Sequence, residues 1–299
     1  MAKTLRSLNG QVVAITGGAR GIGRATAAAL IAQGARVGIG DIDAALVEQT
    51  AIDLAPTHRG GTIGLPLDVT DRESFVSFLD EVERQLGPLD VLVNNAGIMP
   101  IGPFISETDA QAERMIAINI HGVILGSKLA IERFTPRGRG HIVQLASIAG
   151  KGGFPGVATY CASKHAVVGL TESLRAELRD TGIEMHQVLP IGVNTELYSG
   201  VSAARGLKTP EPEDVANTIV ELLQTGKFEL FVPRRVGTLV RLQGLLPRRI
   251  VDAIVRLTKG DQVMLAANPT ARAAYDARLN QMINGTVPAP STDQERTAA

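Results

Sequence analysis

Short apolar runs alternate along the chain with longer stretches in which apolar residues recur every three or four positions. The first kind reads as buried strands and the second as amphipathic helices. Their regular alternation predicts a parallel sheet joined by crossover helices. The predicted strands are QVVAIT (11–16), ARVGIG (35–40), TIGLPL (62–67), LDVLVN (89–94), HIVQLAS (141–147), IEMHQVL (183–189) and FELFVP (228–233). Helices are predicted between them at 21–33, 43–54, 71–86, 107–134, 159–181 and 211–225. Gly34, Gly87 and Gly182 follow three of these patterns closely, where a residue tolerant of left-handed backbone ends a helix. Thr70-Asp-Arg-Glu73 has capping-box spacing ahead of the third helix. The expectation is an α/β protein with one doubly wound parallel sheet of about seven strands and helices on both faces.

Past the seventh strand the character changes. Residues 227–259 hold eight Lys and Arg against Glu229 and Asp252, in a chain whose 30 basic and 30 acidic residues cancel. Val236, Leu239, Val240, Leu242, Leu245 and Leu246, then Ile250, Val251, Ile254, Val255 and Leu257, recur near helical spacing around Pro247. The chain therefore divides into a domain at 1–235 and a basic amphipathic helical extension at 236–286. Two settings stay open for residues 234–259: peripheral contact with an anionic membrane, or packing on a partner subunit or the pocket mouth. The tail at 287–299 (VPAPSTDQERTAA) lacks an apolar pattern and is expected to be disordered.

Charge and composition narrow the function. Zero net charge provides no bulk attraction to nucleic acid, and 3% aromatics without tryptophan argue against a base-stacking binder. A single cysteine, Cys161, excludes an intrachain disulfide framework and a cysteine-cluster zinc site. The five histidines, at 58, 121, 141, 165 and 186, show no ligand spacing, so no metal site is expected. His141 and His186 read as structural. The N-terminus carries no leader pattern, and no uncharged apolar run approaches the ~18 residues of a membrane span. A cytoplasmic protein is expected.

The chemistry collects at the predicted strand ends. Thr16-Gly17-Gly-Ala-Arg20-Gly21-Ile22-Gly23 joins the first strand to the first helix. Glycines there allow a tight turn and close approach of a pyrophosphate to the helix N-terminus. Asp41, at the end of the second strand, can accept hydrogen bonds from ribose hydroxyls and would repel a 2′-phosphate. Arg20 pulls the other way, and the balance favours NAD over NADP. Further on, Tyr160 and Lys164 stand four apart at the start of a helical pattern, so phenol and ammonium share one face. A nearby ammonium favours the phenolate and would lower the tyrosine pKa toward the working range. Ser147 closes the fifth strand and faces the same place.

These residues together resemble the short-chain dehydrogenase/reductase (SDR) family, over residues 11 to about 235. T-G-x-x-x-G-x-G, Asp68-Val69, Asn94-Asn95-Ala96-Gly97, Asn119, Ser147, Y-C-A-S-K (160–164) and the Pro190…Thr195 turn occur in the family's order. The longer epimerase branch, with a differently spaced glycine loop, is not matched. The resemblance implies a Rossmann-type fold and NAD(P)-dependent interconversion of a secondary alcohol and a ketone. It implies Tyr160 as general acid/base, Lys164 as its modulator and a ribose ligand, Ser147 as holder of the substrate oxygen, and Asn119 as part of a proton relay. Cofactor contacts are implied at Gly17, Arg20, Gly21, Ile22, Gly23, Asp41, Asp68, Val69, Asn95, Ala96, Gly97, Pro190, Gly192, Val193 and Thr195, besides Tyr160 and Lys164. Ile22 also reads as helix packing. The family usually places glycine directly after the proline, whereas Ile191 intervenes here before Gly192.

Substrate and assembly are read from the remaining loops. Ile98, Met99, Ile101, Phe104, Phe154, Val157, Leu197, Tyr198, Val201 and Leu207 suggest an apolar pocket for a lipophilic alcohol or ketone, steroid-, retinoid- or lipid-like. A homodimer or homotetramer built on the long helices is implied by the resemblance. A catalytically inactive NAD-binding regulatory or scaffold protein is the alternative, and Asn119, Ser147, Tyr160 and Lys164 together argue against it.

Overall fold

The computed structural model describes residues 5–55, 61–202, 208–243 and 262–283, with Pro247, Arg249, Ile250, Ala253 and Arg256 between the last two stretches. Seven parallel strands form one sheet in the order β3-β2-β1-β4-β5-β6-β7. They are β1 (Val12–Thr16), β2 (Arg36–Asp41), β3 (Thr62–Pro66), β4 (Val91–Asn94), β5 (Gly140–Leu145), β6 (Ile183–Pro190) and β7 (Glu229–Val232). The order reverses between β1 and β4, which leaves a crevice at their carboxyl ends where ligands of such sheets bind.

Strand parity builds two cores. Val13 and Ile15 of β1, Val91 and Val93 of β4, and Val143 of β5 face one layer. Val12, Ala14, Leu92 and Ile142 face the other. The first layer packs against α1 (Gly21–Ala32), α2 (Ala44–Leu54) and α7 (Pro212–Thr225), through Leu30, Val47 and Ile219 among others. The second packs against α3 (Arg72–Leu86) and α5 (Val123–Phe134), where Phe75, Phe78 and Phe134 are fully buried. Burying each such ring contributes about 2–3 kcal/mol relative to leaving it in water. Both sheet faces are covered, which is why the strands read as nearly continuous apolar runs.

The remaining elements reach the site. Helix α4 (Asp109–Ile116) begins at Thr108 with a capping box and continues through a π-helical stretch, Ala117–Gly122, into α5. By length and composition the run Asp109–Arg137 could cross a membrane, although charged residues such as Arg114 and Lys128 interrupt it. Half of its apolar window is buried against the sheet, so its apolar character serves the core. Helix α6 (Ala158–Glu177) carries Tyr160 and Lys164 and ends before the predicted 181. Beyond β7 come α8 (Arg234–Gln243) and α9 (Pro269–Ile283).

Two local readings need correction or division. The cap of α3 is Asp71, whose side chain accepts from Glu73 N, while Thr70 instead bonds Asp68. Helix α8 packs Val236 and Val240 against Phe231 and Leu189 but leaves Leu239 and Leu242 exposed. The predicted disordered tail, His58, Leu207 and the apolar positions 245, 246, 251, 254, 255 and 257 lie outside the described residues.

Candidate active site

Two connected hollows open at the carboxyl ends of β1, β4, β5 and β6. The larger, about 690 Å3, runs from the glycine loop past Asp41 and Val69 to Asn95, Ala96, Gly97 and Thr195. The smaller, about 240 Å3, lies over Ser147, Tyr160 and Lys164.

The glycine loop is shaped by what surrounds it. Gly17 has φ 65 and Gly21 φ 52, both in the left-handed region that favours glycine. A Cβ at Gly17 would come 2.9 Å from the Ala96 backbone, and one at Gly23 would come 2.1 Å from Gly17 O. Asn95 ties this loop to β4: its Nδ2 donates to Thr16 O and Gly17 O, each at 2.9 Å. Thr16 Oγ1 returns the link by accepting from Asn95 N and Ala96 N, each at 3.0 Å. Helix α1 starts at Gly21 with no side-chain cap and no acidic residue in its first turn. Its uncapped N–H groups and positive dipole end face the hollow, so the cradle fits a pyrophosphate.

Asp41 lies at the end of β2 with Oδ2 accepting from Ala19 N at 3.1 Å and Oδ1 from Asp43 N at 3.2 Å. Burial raises its pKa, and these backbone bonds work against that rise. Arg20, about a third exposed, pairs with Asp43 at 2.6 Å and Glu196 at 3.4 Å. Asp68 stands behind the wall. Its carboxylate accepts from Thr70 N and Oγ1 and faces Arg114 at 3.4 Å, which together hold its pKa below the usual range despite partial burial. Val69 and Arg114 reach the hollow instead.

The smaller hollow brings together Ser147, Tyr160 and Lys164. Ser147 begins a short 3-10 turn, accepting from Ala149 N at 3.1 Å and donating to Pro190 O at 3.5 Å. Lys164 is buried, its Nζ donates to Leu145 O at 2.7 Å, and burial lowers its pKa to about 8. That Nζ sits 5.6 Å from the Tyr160 ring centroid. Contrary to the sequence expectation, the Tyr160 pKa is raised. Burial dominates, Ser147 pulls against it, and the ammonium is directed at a backbone carbonyl. Asn119 does not line the hollow. It is buried, with Oδ1 accepting from Ile98 N at 2.9 Å and Nδ2 donating to Ile98 O at 3.0 Å and Ser163 Oγ at 3.2 Å. It therefore fastens the loop after β4.

Pro190, Gly192, Val193 and Thr195 all border the smaller hollow, as does the intervening Ile191. Gly192 is needed because the Tyr198 ring lies over it: a Cβ would come 2.0 Å from the ring. Of the predicted apolar residues, Met99, Phe154, Val157, Leu197 and Tyr198 line this hollow, whereas Ile98 borders the larger one. Ile101 and Phe104 border a separate cavity, and Val201 lines neither hollow. Cys161 is buried beside the site, its Sγ accepting from Phe154 N at 3.3 Å, and burial raises its pKa.

The C-terminal helix supplies residues that sequence reasoning missed. Tyr275, Arg278, Gln281 and Met282 of α9 line the larger hollow, and Val263 and Met264 line the smaller. Arg272, 2% exposed, donates to Met99 O, Leu197 O and Ser199 O at 2.9, 3.0 and 3.4 Å. The spacing Arg272-x-x-Tyr275-x-x-Arg278 is the one signal that could have marked a helical face. At the opposite end of the sheet, His141 Nδ1 and His186 Nε2 stand 3.1 Å apart beside Glu184. His186 Nδ1 donates to Lys227 O and Glu184 pairs with Arg6, so the cluster is internally satisfied.

Comparison with known proteins agrees with this geometry. A family profile described as short chain dehydrogenase matches residues 11–206. The chain is 36% identical over 234 residues to 2-(S)-hydroxypropyl-CoM dehydrogenase 3 of Xanthobacter autotrophicus, covering 72% of this chain and 90% of that protein. It is 32% identical to 17-beta-hydroxysteroid dehydrogenase 13 of Rattus norvegicus, covering 84% of each. A short chain dehydrogenase/reductase from Burkholderia phymatum, solved in complex with NAD, superposes with a TM-score of 0.72 at 25% identity, covering 80% of this chain and 95% of that one. Seven parallel strands with a glycine cradle at the switch point, and a family profile matched over residues 11–206, lead to one conclusion: the chain belongs to the short-chain dehydrogenase/reductase family of oxidoreductases.

Proposed function

We propose that the protein interconverts a lipophilic secondary alcohol and its ketone, with NAD preferred over NADP. The observation that carries this reading is the convergence of Ser147, Tyr160 and Lys164 on one largely apolar hollow, which adjoins the glycine cradle. A nicotinamide cofactor held by the glycine loop and the residues lining the two hollows would supply the hydride in reduction and accept it in oxidation. Tyr160 Oη gives its proton to the substrate oxygen in reduction and takes it back in oxidation. Ser147 Oγ holds that oxygen and steadies its developing charge. Lys164, with a pKa near 8, is mostly an ammonium at neutral pH and favours the phenolate form of Tyr160 once its side chain turns from Leu145 O. Asn119 keeps the wall at Ile98 and Met99 in place.

Two features support NAD. Asp41 puts a carboxylate at the end of β2, and Asp43 pairs with the Arg20 guanidinium at 2.6 Å. Met99, Phe154, Val157, Leu197 and Met264 support a lipophilic substrate, as does the similarity to a relative named for hydroxysteroid oxidation. Peripheral contact with an anionic membrane is part of the same proposal. Leu239 and Leu242 are exposed on α8 beside Arg235 and Arg241. Assembly as a homodimer or homotetramer through α5 and α6 is also proposed, and light scattering reads it.

The test is a screen of hydrophobic secondary alcohols with NAD and with NADP, followed by absorbance of the reduced nicotinamide. Turnover should favour NAD, and Asp41→Ala should shift the preference toward NADP by about tenfold. Equal use of both cofactors by the unaltered protein would overturn the NAD assignment. Turnover confined to small polar alcohols would overturn the substrate class.

A further inference from the structure

Helix α9 crosses the mouth of the larger hollow and brings it a cation that the strands and crossover helices do not. Arg20 of the glycine loop and Arg278 of α9 converge on one atom, Oε2 of Glu196, with Arg20 at 3.4 Å and Arg278 in closer contact. All three side chains border the same hollow as Gly17 and Gly21. The start of α1 beside them has no side-chain cap and no acidic residue in its first turn. Two guanidinium groups thus meet on a carboxylate that comes from the chain itself, in the hollow that this uncapped helix N-terminus also borders.

We propose that Glu196 is an internal stand-in for the cofactor pyrophosphate, and that Arg278 exchanges Glu196 for a phosphate oxygen when the cofactor binds. This rests on the dinucleotide reading of the hollow. Glu196 is 55% exposed and Arg278 33%, so water screens their pairing and the carboxylate leaves readily. A pyrophosphate brings more negative charge and more acceptor oxygens to the same guanidinium, in the fork geometry that arginine prefers. Arg278 then holds the cofactor from the side opposite the glycine loop.

The position of α9 does not depend on the Glu196 contact. Arg272 ties the helix to the carbonyls of Met99, Leu197 and Ser199, and Tyr275 Oη accepts from Met99 N at 2.9 Å. Arg272 also stacks on Tyr275, 4.7 Å from the ring centroid. Removing the Glu196 charge therefore frees Arg278 without undocking its helix, and this determines the sign of the experiment.

Calorimetric titration of the full-length, cofactor-free protein with NAD tests the exchange. Glu196→Gln should tighten binding by about threefold or more, because a competing anion is gone. Arg278→Ala should weaken it by about tenfold and reduce its salt dependence, and Arg278→Lys should restore part of the loss. In the Arg278→Ala background, Glu196→Gln should give a smaller gain. If Glu196 only docks α9, Glu196→Gln weakens NAD binding, and that result overturns the proposal. Unchanged binding in both single variants overturns it as well. Failure of the unaltered protein to bind either NAD or NADP is a different outcome, and it refutes the dinucleotide reading itself.

Discussion

Replacing Asn119 by alanine should loosen the loop after β4 in the cofactor-free protein, before any chemistry is involved. The side chain is 0% exposed and pairs with both backbone groups of Ile98, much as a neighbouring strand would. Alanine leaves the Ile98 N–H and C=O without those partners and removes the bond to Ser163 Oγ. Each buried polar group left unpaired costs about 1–3 kcal/mol, so the variant should lose about 3–5 kcal/mol in all. Urea unfolding would report this loss, and hydrogen exchange of the peptide containing Ile98 would accelerate about a hundredfold or more. Ser163→Ala is the graded control: it removes only the 3.2 Å bond to Asn119 and its own bond to Tyr160 O, and should cost about 1–2 kcal/mol. Because Ile98 borders the larger hollow, cofactor affinity should fall with the loop's order. A change in stability below about 0.5 kcal/mol, with exchange at Ile98 unmoved, would refute the bridging role.

Gly23→Ala should weaken NAD binding by about tenfold to a hundredfold, since its Cβ would meet Gly17 O at 2.1 Å and displace the loop; titration calorimetry reads it. Burial lowers the His186 pKa to about 4, while an unfolded histidine titrates near ~6.5. The unfolded chain therefore binds a proton through that window that the folded chain refuses, so stability falls by up to about 3 kcal/mol as pH drops from ~6.5 to ~4. His186→Gln should flatten this slope by about one proton in urea unfolding across the range, with His141 accounting for part of what remains. Leu239→Glu with Leu242→Glu should abolish sedimentation with vesicles containing anionic lipid, and retained sedimentation would exclude α8 from membrane contact.

Much of this arrangement was legible in the sequence. All seven strands stood out, and those buried on both faces, such as Val12–Thr16 and Val91–Asn94, are apolar up to their last residue. The glycine loop, Asp41, Ser147, Tyr160 and Lys164 were legible because their chemistry depends on spacing along one loop, strand end or helix turn. What depends on contact between distant segments was not. Helix α9 (PTARAAYDARLNQMI) packs only Tyr275, Leu279 and Ile283 toward the core, so apart from the Arg272-x-x-Tyr275-x-x-Arg278 spacing little marked Arg272 as buried or Arg278 as part of the cleft. His141 and His186 meet only because β5 and β6 pair in a register that sets Val143 beside His186. The i,i+4 spacing placed Lys164 near Tyr160 but could not show its ammonium turned to Leu145 O, and burial therefore raises the phenol pKa. Arg20 offered a phosphate partner or a solvated side chain. Its two carboxylate partners, Asp43 and Glu196, come from separate loops.

Turnover by Tyr160→Phe tests the central claim most directly. Phenylalanine keeps the ring that packs against the cluster of Met99, Ala149, Val157 and Cys161 and removes only the hydroxyl that would move the proton. NAD affinity should stay within about twofold, the cofactor-free protein should remain as stable, and kcat should fall by about 10²–10⁴-fold. A variant that binds NAD and retains kcat within about tenfold would contradict the assignment of Tyr160 as the acid and base.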